Sequence, residues 1–160
     1  MRRSDKPEMS EQHIACKKQA LNLLARREHS RLELERKLAA RSFASTLVST
    51  TLDDLEQSGA LAASRFAESF VRSRAAKGQG PVRIRAELKQ RGVEDVQFVD
   101  LLRDEEFDWY AIARHVRSKR FGRAAPRDFK ERARQARFLQ YRGFETGQIN
   151  AALDLGDDSD

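Results

Sequence analysis

Three short segments of this 160-residue chain repeat one another at near-constant spacing, and that repeat bounds the fold more tightly than any other feature. The segments are Leu38-Ala39-Ala40-Arg41-Ser42-Phe43, Leu88-Lys89-Gln90-Arg91-Gly92-Val93 and Leu139-Gln140-Tyr141-Arg142-Gly143-Phe144. Leu38 and Leu88 are 50 positions apart, and Leu88 and Leu139 are 51 apart. The same offsets join Arg41, Arg91 and Arg142, then Phe43, Val93 and Phe144. Further on they join Val48, Phe98 and Ile149, and then Leu52, Leu102 and Leu153. Chance agreement at one position is easy; agreement in residue class at five, sharing one single-residue insertion, is not.

Each recurring position has a physical reading. The Leu sits one turn before a helix end, facing a core. Gly92 and Gly143 follow an Arg, where a helix stops through a left-handed residue that Gly adopts cheaply. Ser42 departs from this, so the first copy's cap is expected to be less well formed. The next apolar residue packs back on the last turn. Pairs such as Val48 and Leu52 lie four apart, on one face of a following helix. Ser30-Arg31-Leu32-Glu33 reads as a capping box, and Gly80-Pro81 as a start with Pro where its missing N–H does no harm. Pro126 points to an earlier start for the third equivalent. Helices near residues 12–28, 64–77 and 104–121 precede these, so each unit holds three.

The fold expected is therefore all-α: three tandem three-helix repeats in an elongated, curved, solenoid-like array. The boundaries are a flexible tail over 1–11, repeats over 12–59, 60–103 and 104–155, and an acidic tail over 156–160. Composition agrees. Hydrophobic residues at 39% and charged residues at 35% suit an array, which never fills a deep interior. No β-alternation persists.

A formal net charge of +6 favours polyanions. No apolar run approaches the roughly 20 residues that span a bilayer, and the N-terminus leads into no apolar signal core. The single cysteine, Cys16, fits a reducing compartment. A cytoplasmic protein is expected. Charge is also sorted by helix. Residues 65–91 carry eight Arg or Lys against Glu68 and Glu87, and residues 112–142 carry eleven against Asp128 and Glu131. Residues 92–108 instead hold seven acids and only Arg103, and Asp53, Asp54, Glu56, Glu145 and Asp154 continue that pattern. One basic flank and one more acidic flank follow if equivalent helices stack. The alternative is that these charges pair with one another at little net energy.

The basic helices are the candidate binding surface: Arg72, Arg74, Lys77, Arg83, Arg85 and Lys89 in the second repeat, and Arg117, Lys119, Arg120, Arg132, Arg134 and Arg137 in the third. Arg83 and Arg85, two apart, do not share a helix face, so one can meet a partner while the other pairs with Glu87 or a third-helix acid. Phosphate contacts of this kind carry no sequence information. Catalytic and cofactor sites are not expected. Gly78-Gln79-Gly80-Pro81 lacks the Gly-Lys-Ser/Thr ending of a phosphate loop. His13, His29, His115 and Cys16 are too scattered for a metal site, and no strand–turn–helix elbow presents a nucleophile. His29 sits before the Ser30 cap, and Trp109 belongs with Ile112 and Val116 in the core rather than in base stacking.

The second repeat reads Arg65-Phe66-Ala67-Glu68-Ser69-Phe70-Val71-Arg72-Ser73-Arg74, then Lys77-Gly78-Gln79-Gly80-Pro81-Val82-Arg83-Ile84-Arg85-Ala86-Glu87-Leu88. This resembles the core signature of the bacterial RecX regulatory proteins, an Arg-Phe-Ala helix before a Gly-x-Gly-Pro turn and an Arg-Ile-Arg helix. Residues 26–34 and 137–144 extend the likeness, which spans roughly residues 12–153. It departs at Ala62-Ala63, where the family usually carries acids, and at Ser42. The resemblance implies a monomeric, non-enzymatic, cofactor-free negative regulator of the RecA recombinase. Such a protein lodges in the groove of the RecA–DNA filament, inhibits recombinase and ATPase activities, and restrains DNA repair, recombination and the damage response. A direct, sequence-independent DNA-binding helical-repeat protein is the alternative.

Overall fold

A computed structural model of the chain describes residues 10–154. Among them every regular element is helical. In chain order these are α1 (Glu11–Arg26), α2 (Arg31–Ala40), α3 (Ser45–Gln57), α4 (Ala63–Ala76), α5 (Pro81–Gln90), a 3-10 turn (Asp95–Gln97), α6 (Val99–Arg103), α7 (Trp109–Phe121), α8 (Phe129–Arg142) and α9 (Thr146–Asp154). None is long and apolar enough to cross a membrane. Of the tail expected over residues 1–11, residues 1–9 lie outside the described residues while Ser10 and Glu11 open α1, and the acidic tail expected over 156–160 also lies outside them. The chain divides into two compact units, one up to Phe66 and one from Ala67 onward.

In the first unit, apolar residues at helical spacing build a single core. Cys16, Ala20 and Leu23 of α1 meet Leu34 and Leu38 of α2 and Val48, Leu52 and Leu55 of α3, with Leu61 closing the end. Ser10 starts α1 by accepting from the His13 N–H at 3.1 Å. Ser30 starts α2 through a complete capping box: its hydroxyl accepts from the Glu33 N–H at 3.1 Å, and the Glu33 carboxylate accepts from the Ser30 N–H at 3.2 Å. Such a cap is worth about 1 kcal/mol.

The repeated segments end their helices identically. Phe43, Val93 and Phe144 donate backbone N–H groups to Leu38, Leu88 and Leu139 at 3.3, 3.1 and 3.2 Å. Ser42, Gly92 and Gly143 donate to Ala39, Lys89 and Gln140 at 3.0 Å in each case. All three residues have positive φ: 69°, 78° and 95°. The first cap is therefore fully formed, contrary to expectation, with Ser42 held in a left-handed conformation that costs a non-glycine residue roughly 1 kcal/mol. Leu38, Leu88 and Leu139 are completely buried.

The second unit holds α5 to α9 and all of α4 after Phe66. Its third repeat is centred on Ala113, Val116, Leu139, Phe144, Ile149, Ala152 and Leu153. The second and third repeats are joined through backbone. The N–H groups of Gly80 and Val82, either side of Pro81, donate to the Arg142 and Gly143 carbonyls at 2.8 and 2.9 Å. The first-turn donors of α5, which no helix satisfies internally, thus meet the last carbonyls of α8. The partial positive end of one helix abuts the partial negative end of the other. Pro81 at the first helical position has no N–H to leave stranded. Contact is close enough that a Cβ on Gly80 would lie 2.5 Å from the Phe144 nitrogen.

Three boundaries differ from expectation. The first helix of the third repeat starts at Trp109, not near residue 104. Asp104 instead accepts the Glu106 N–H at 2.9 Å, and Asp108 caps α7 by accepting from Ala111 at 3.0 Å. Short acidic side chains there compete with helix for the backbone donors. Pro126 does not open α8; Asp128 does, accepting from the Glu131 N–H at 2.8 Å. The third helix of the second repeat is split, because Phe98, buried and at φ −139°, leaves helical geometry between the 3-10 turn and α6. Trp109 closes that region by donating its indole N–H to the Leu102 carbonyl at 2.8 Å.

Candidate partner-binding surface

The charge sorting seen in the sequence is met largely inside the repeats. Arg31 of α2 pairs with Asp53 and Glu56 of α3 at 2.7 and 3.1 Å. One hundred and one positions on (50 plus 51), Arg132 of α8 pairs with Asp154 of α9 at 2.8 Å. The second repeat places Pro81 and Arg103 at the equivalent positions, so the pair is absent there, and Pro81 instead lies in the junction with α8. A different bond replaces it: Arg85 and Lys89 both reach Asp95, at 2.9 and 3.2 Å. The hydrogen bond from Arg85 holds the Asp95 carboxyl below the ordinary carboxylate range against the opposing cost of burial, with a further hydrogen bond from Lys89 adding to it. Second-helix bases and third-helix acids thus close on each other within the repeats.

The twelve basic residues singled out in the sequence divide accordingly. Arg72 is paired with Glu68 and Glu106 at 2.8 and 3.1 Å. Arg83 and Arg74 converge on Glu87 at 3.1 and 3.5 Å, and Arg74 also covers the Phe70 ring. Arg85, Lys89 and Arg132 carry the pairs already given, and Arg134 pairs with Glu131 at 2.8 Å. Both Arg83 and Arg85 are engaged internally, rather than one of the two. Arg117 departs furthest from expectation. It is only 3% exposed, with Nε donating to the Gln135 amide oxygen at 2.9 Å and a terminal nitrogen donating to the Ala124 carbonyl. Burial lowers its pKa below the usual guanidinium value. Its role is internal: it ties the loop between α7 and α8 to the body of α8. Gln135 occupies the position that Leu34 and Ile84 hold in the other repeats, so a polar core pair replaces an apolar contact.

Lys77, Lys119, Arg120 and Arg137 remain, all exposed and none in an ion pair with another described residue. Three of them line one groove. Its volume is about 590 Å³, and its walls are the end of α4, the middle of α7 and the second half of α8. Lys77, Lys119, Arg120 and Arg142 supply the charge; Ala75, Ala76, Ala111, Ile112, Val116 and Phe138 supply the apolar surface. No Asp or Glu lines it. Gly78 shapes the corner: it has φ +79°, and a Cβ there would meet Val116 at 2.7 Å, so α4 ends tight against α7. Arg142 is fixed by a 3.2 Å bond to the Lys77 carbonyl and lies over the Phe138 ring at 5.4 Å. Arg120 also covers that ring, at 5.8 Å. Arg142 and His115 were not singled out in the sequence. Arg142 was legible only as the Arg of the repeat, and its closeness to Lys77, 65 residues away, is a tertiary fact.

Chemically the groove is an anion-attracting cleft with an apolar floor and no nucleophile–base pair. Among the described residues no group of three or more His, Cys, Asp and Glu is arranged to hold a metal ion.

Three family models match the chain: the first three-helix domain of RecX over residues 16–55, the second over 64–97 and the third over 106–153. The regulatory protein RecX of Halorhodospira halophila is 51% identical over 146 residues, covering 91% of each chain. That of Pseudomonas savastanoi pv. phaseolicola is 45% identical over 140 residues, covering 88% of this chain and 90% of its own. Among solved structures, RecX from Lactobacillus salivarius superposes with a TM-score of 0.74 at 20% identity, covering 91% of this chain and 97% of that one. A second crystal structure of a regulatory protein RecX gives 0.77 at 20% identity, covering 91% and 75%. At that identity the two structures speak for the fold alone.

Proposed function

Since the chain belongs to the RecX family of regulatory proteins, we propose that it is a negative regulator of the RecA recombinase, binding the RecA–DNA filament and inhibiting its recombinase and ATPase activities. The observation that carries this reading is the α4–α7–α8 groove, which Lys77, Lys119, Arg120 and Arg142 line with no Asp or Glu among them. A protein that needed only solubility would have no reason to leave these four charges without carboxylates on one cleft. The filament is a repeating anionic lattice of protein and nucleic acid, and offers both charge and apolar contacts to such a surface. Bonds from other exposed cations of the chain to DNA phosphates would carry no sequence information. The regulator works as a monomer in the cytoplasm, without catalysis or cofactor.

The test is ATP hydrolysis by the cognate RecA on single-stranded DNA, with this protein titrated in below one copy per RecA. Inhibition at substoichiometric ratio is expected. Unaltered hydrolysis and unaltered filament disassembly at every ratio would remove the reading. A salt series separates it from unaided DNA binding, which weakens by roughly 0.7–0.9 in log–log slope per phosphate neutralised.

A further inference from the structure

The groove's walls decide what kind of anion it receives, and this step rests on the reading that the chain binds a protein filament. We infer that the cleft between α4, α7 and α8 is a docking site for a short acidic segment of the partner protein. That segment inserts one apolar side chain against Ala76, Ile112 and Val116 and sets its carboxylates against Lys77, Lys119 and Arg142.

The first observation is size. About 590 Å³ lies within the range of roughly 300–1,000 Å³ over which clefts enclose a ligand group, and it far exceeds what a lone phosphate fills. The second is the pairing of charge with apolar wall. Four cations and no carboxylate line the cleft, while the surface between them is Ala, Ile, Val and Phe. A bare polyanion would leave that apolar surface wet; a segment with both acids and a large apolar side chain covers both.

The third observation separates protein from nucleic acid. A nucleotide here would need an aromatic face for its base or polar groups for its edge. Phe138 is the one Phe, Tyr or Trp in the lining, and its ring already carries the Arg142 and Arg120 guanidiniums and meets Phe121 edge-on at 5.2 Å. An incoming base would have to displace a guanidinium to stack. Apart from the cations, His115 is the only ionisable or hydrogen-bonding side chain available. An aliphatic or aromatic protein side chain needs neither. The floor is also built to last: Gly78 admits no side chain, and Val116 and Ala75 are buried.

The experiment places a photo-crosslinking residue at the rim, His115→p-benzoylphenylalanine in the full chain, and irradiates it on cognate RecA filaments held with a slowly hydrolysed ATP analogue. Mass spectrometry then identifies what is joined. The expected adduct is a RecA peptide in which Asp or Glu flanks a large apolar residue, and the free peptide should compete for it. An adduct with the DNA, an adduct with a RecA segment lacking acids, or no adduct overturns the inference. ATPase inhibition is read in the same sample. Inhibition without the groove adduct removes this proposal and leaves the regulator reading standing, whereas a wild-type protein that does not inhibit removes the regulator reading itself. Two further variants check the two halves of the site. Ala76→Trp fills the cleft from an exposed position, and Lys77→Glu with Lys119→Glu cancels the net charge of its lining. With circular dichroism unchanged, each should raise the concentration for half-inhibition at least tenfold; an unchanged value for both overturns the docking site.

Discussion

Replacing Gly80 by Ala tests whether the second and third repeats are locked by backbone rather than by side chains. At φ −86° alanine meets no backbone strain at this position, so any cost comes from the neighbour. A Cβ would collide with the Gly143 carbonyl group and lie 2.5 Å from the Phe144 nitrogen, and a backbone cannot rotate away as a side-chain tip does. Relieving the clash must part α5 from α8 and lengthen the 2.8 Å and 2.9 Å bonds to Arg142 and Gly143. Each backbone bond contributes about 1 kcal/mol net, and stranding buried partners raises that. Loss of glycine from the cap position adds about half to one. The sum is about 3–4 kcal/mol, a large part of a small domain's stability. Trp109, the only tryptophan, is buried within the same unit, so its fluorescence during urea unfolding reports there. At roughly 1–3 kcal/mol per molar for urea, the midpoint should fall by about 1–4 M. Gly122→Ala is the reference. Gly122 has φ +84° and ψ 179°, a region essentially reserved for glycine, with nothing within 4 Å of its Cβ position, so it should lose about 1–3 kcal/mol to conformational strain alone. A Gly80→Ala midpoint no lower than that of Gly122→Ala would refute the backbone lock.

Three further outcomes follow from single contacts. Arg117→Ala should destabilise the second unit by about 2–4 kcal/mol, and Arg117→Lys should not rescue it, because one ammonium cannot reproduce a fork shared between Gln135 and Ala124; hydrogen exchange across residues 122–128 should quicken in both variants. His29 is 1% exposed, with Nδ1 3.0 Å from the Arg27 carbonyl and Nε2 3.0 Å from the Lys37 ammonium, so it is neutral with its proton on Nδ1. Burial, with the Arg27 and Lys37 charges adding, lowers its pKa from 6.5, so the unfolded chain takes up the proton first, and stability should fall as pH drops below about 6.5; denaturation curves for His29→Gln should lose that slope. Ser42→Gly should stabilise the first unit by about 0.5–1 kcal/mol in urea unfolding, since it removes the left-handed strain at φ 69° without losing the cap bonds.

Much of the fold was legible because its signals are local. Leu38, Leu88 and Leu139, with the Arg and the left-handed residue after them, mark one helix end three times, and the cap bonds recur with the period. The Ser30 box and Pro81 start were legible for the same reason. What escaped depends on distance or on competition. Asp104 and Asp108 take backbone donors that a helical pattern assigns to α7, and Asp128 outcompetes Pro126 as the start of α8. Pairing of Arg85 with Asp95, or of Arg72 with Glu106, spans 10 and 34 residues and has no periodic signature. The burial of Arg117 follows from Gln135 standing where other repeats carry Leu34 and Ile84, a substitution visible only once the repeat is aligned. Charge counting therefore could not tell an engaged cation from a free one.

That distinction is the account's central claim, and equilibrium binding to preformed RecA filaments on single-stranded DNA tests it most directly. Lys77→Glu, Lys119→Glu and Arg137→Glu together reverse three unpaired charges; Arg72→Glu, Arg85→Glu and Lys89→Glu together reverse three that already hold carboxylates. Both triple variants change net charge equally, so long-range attraction is matched between them. The first should bind at least about tenfold more weakly than the second at equal salt. Equal weakening by the two, or greater weakening by the second, would contradict the claim.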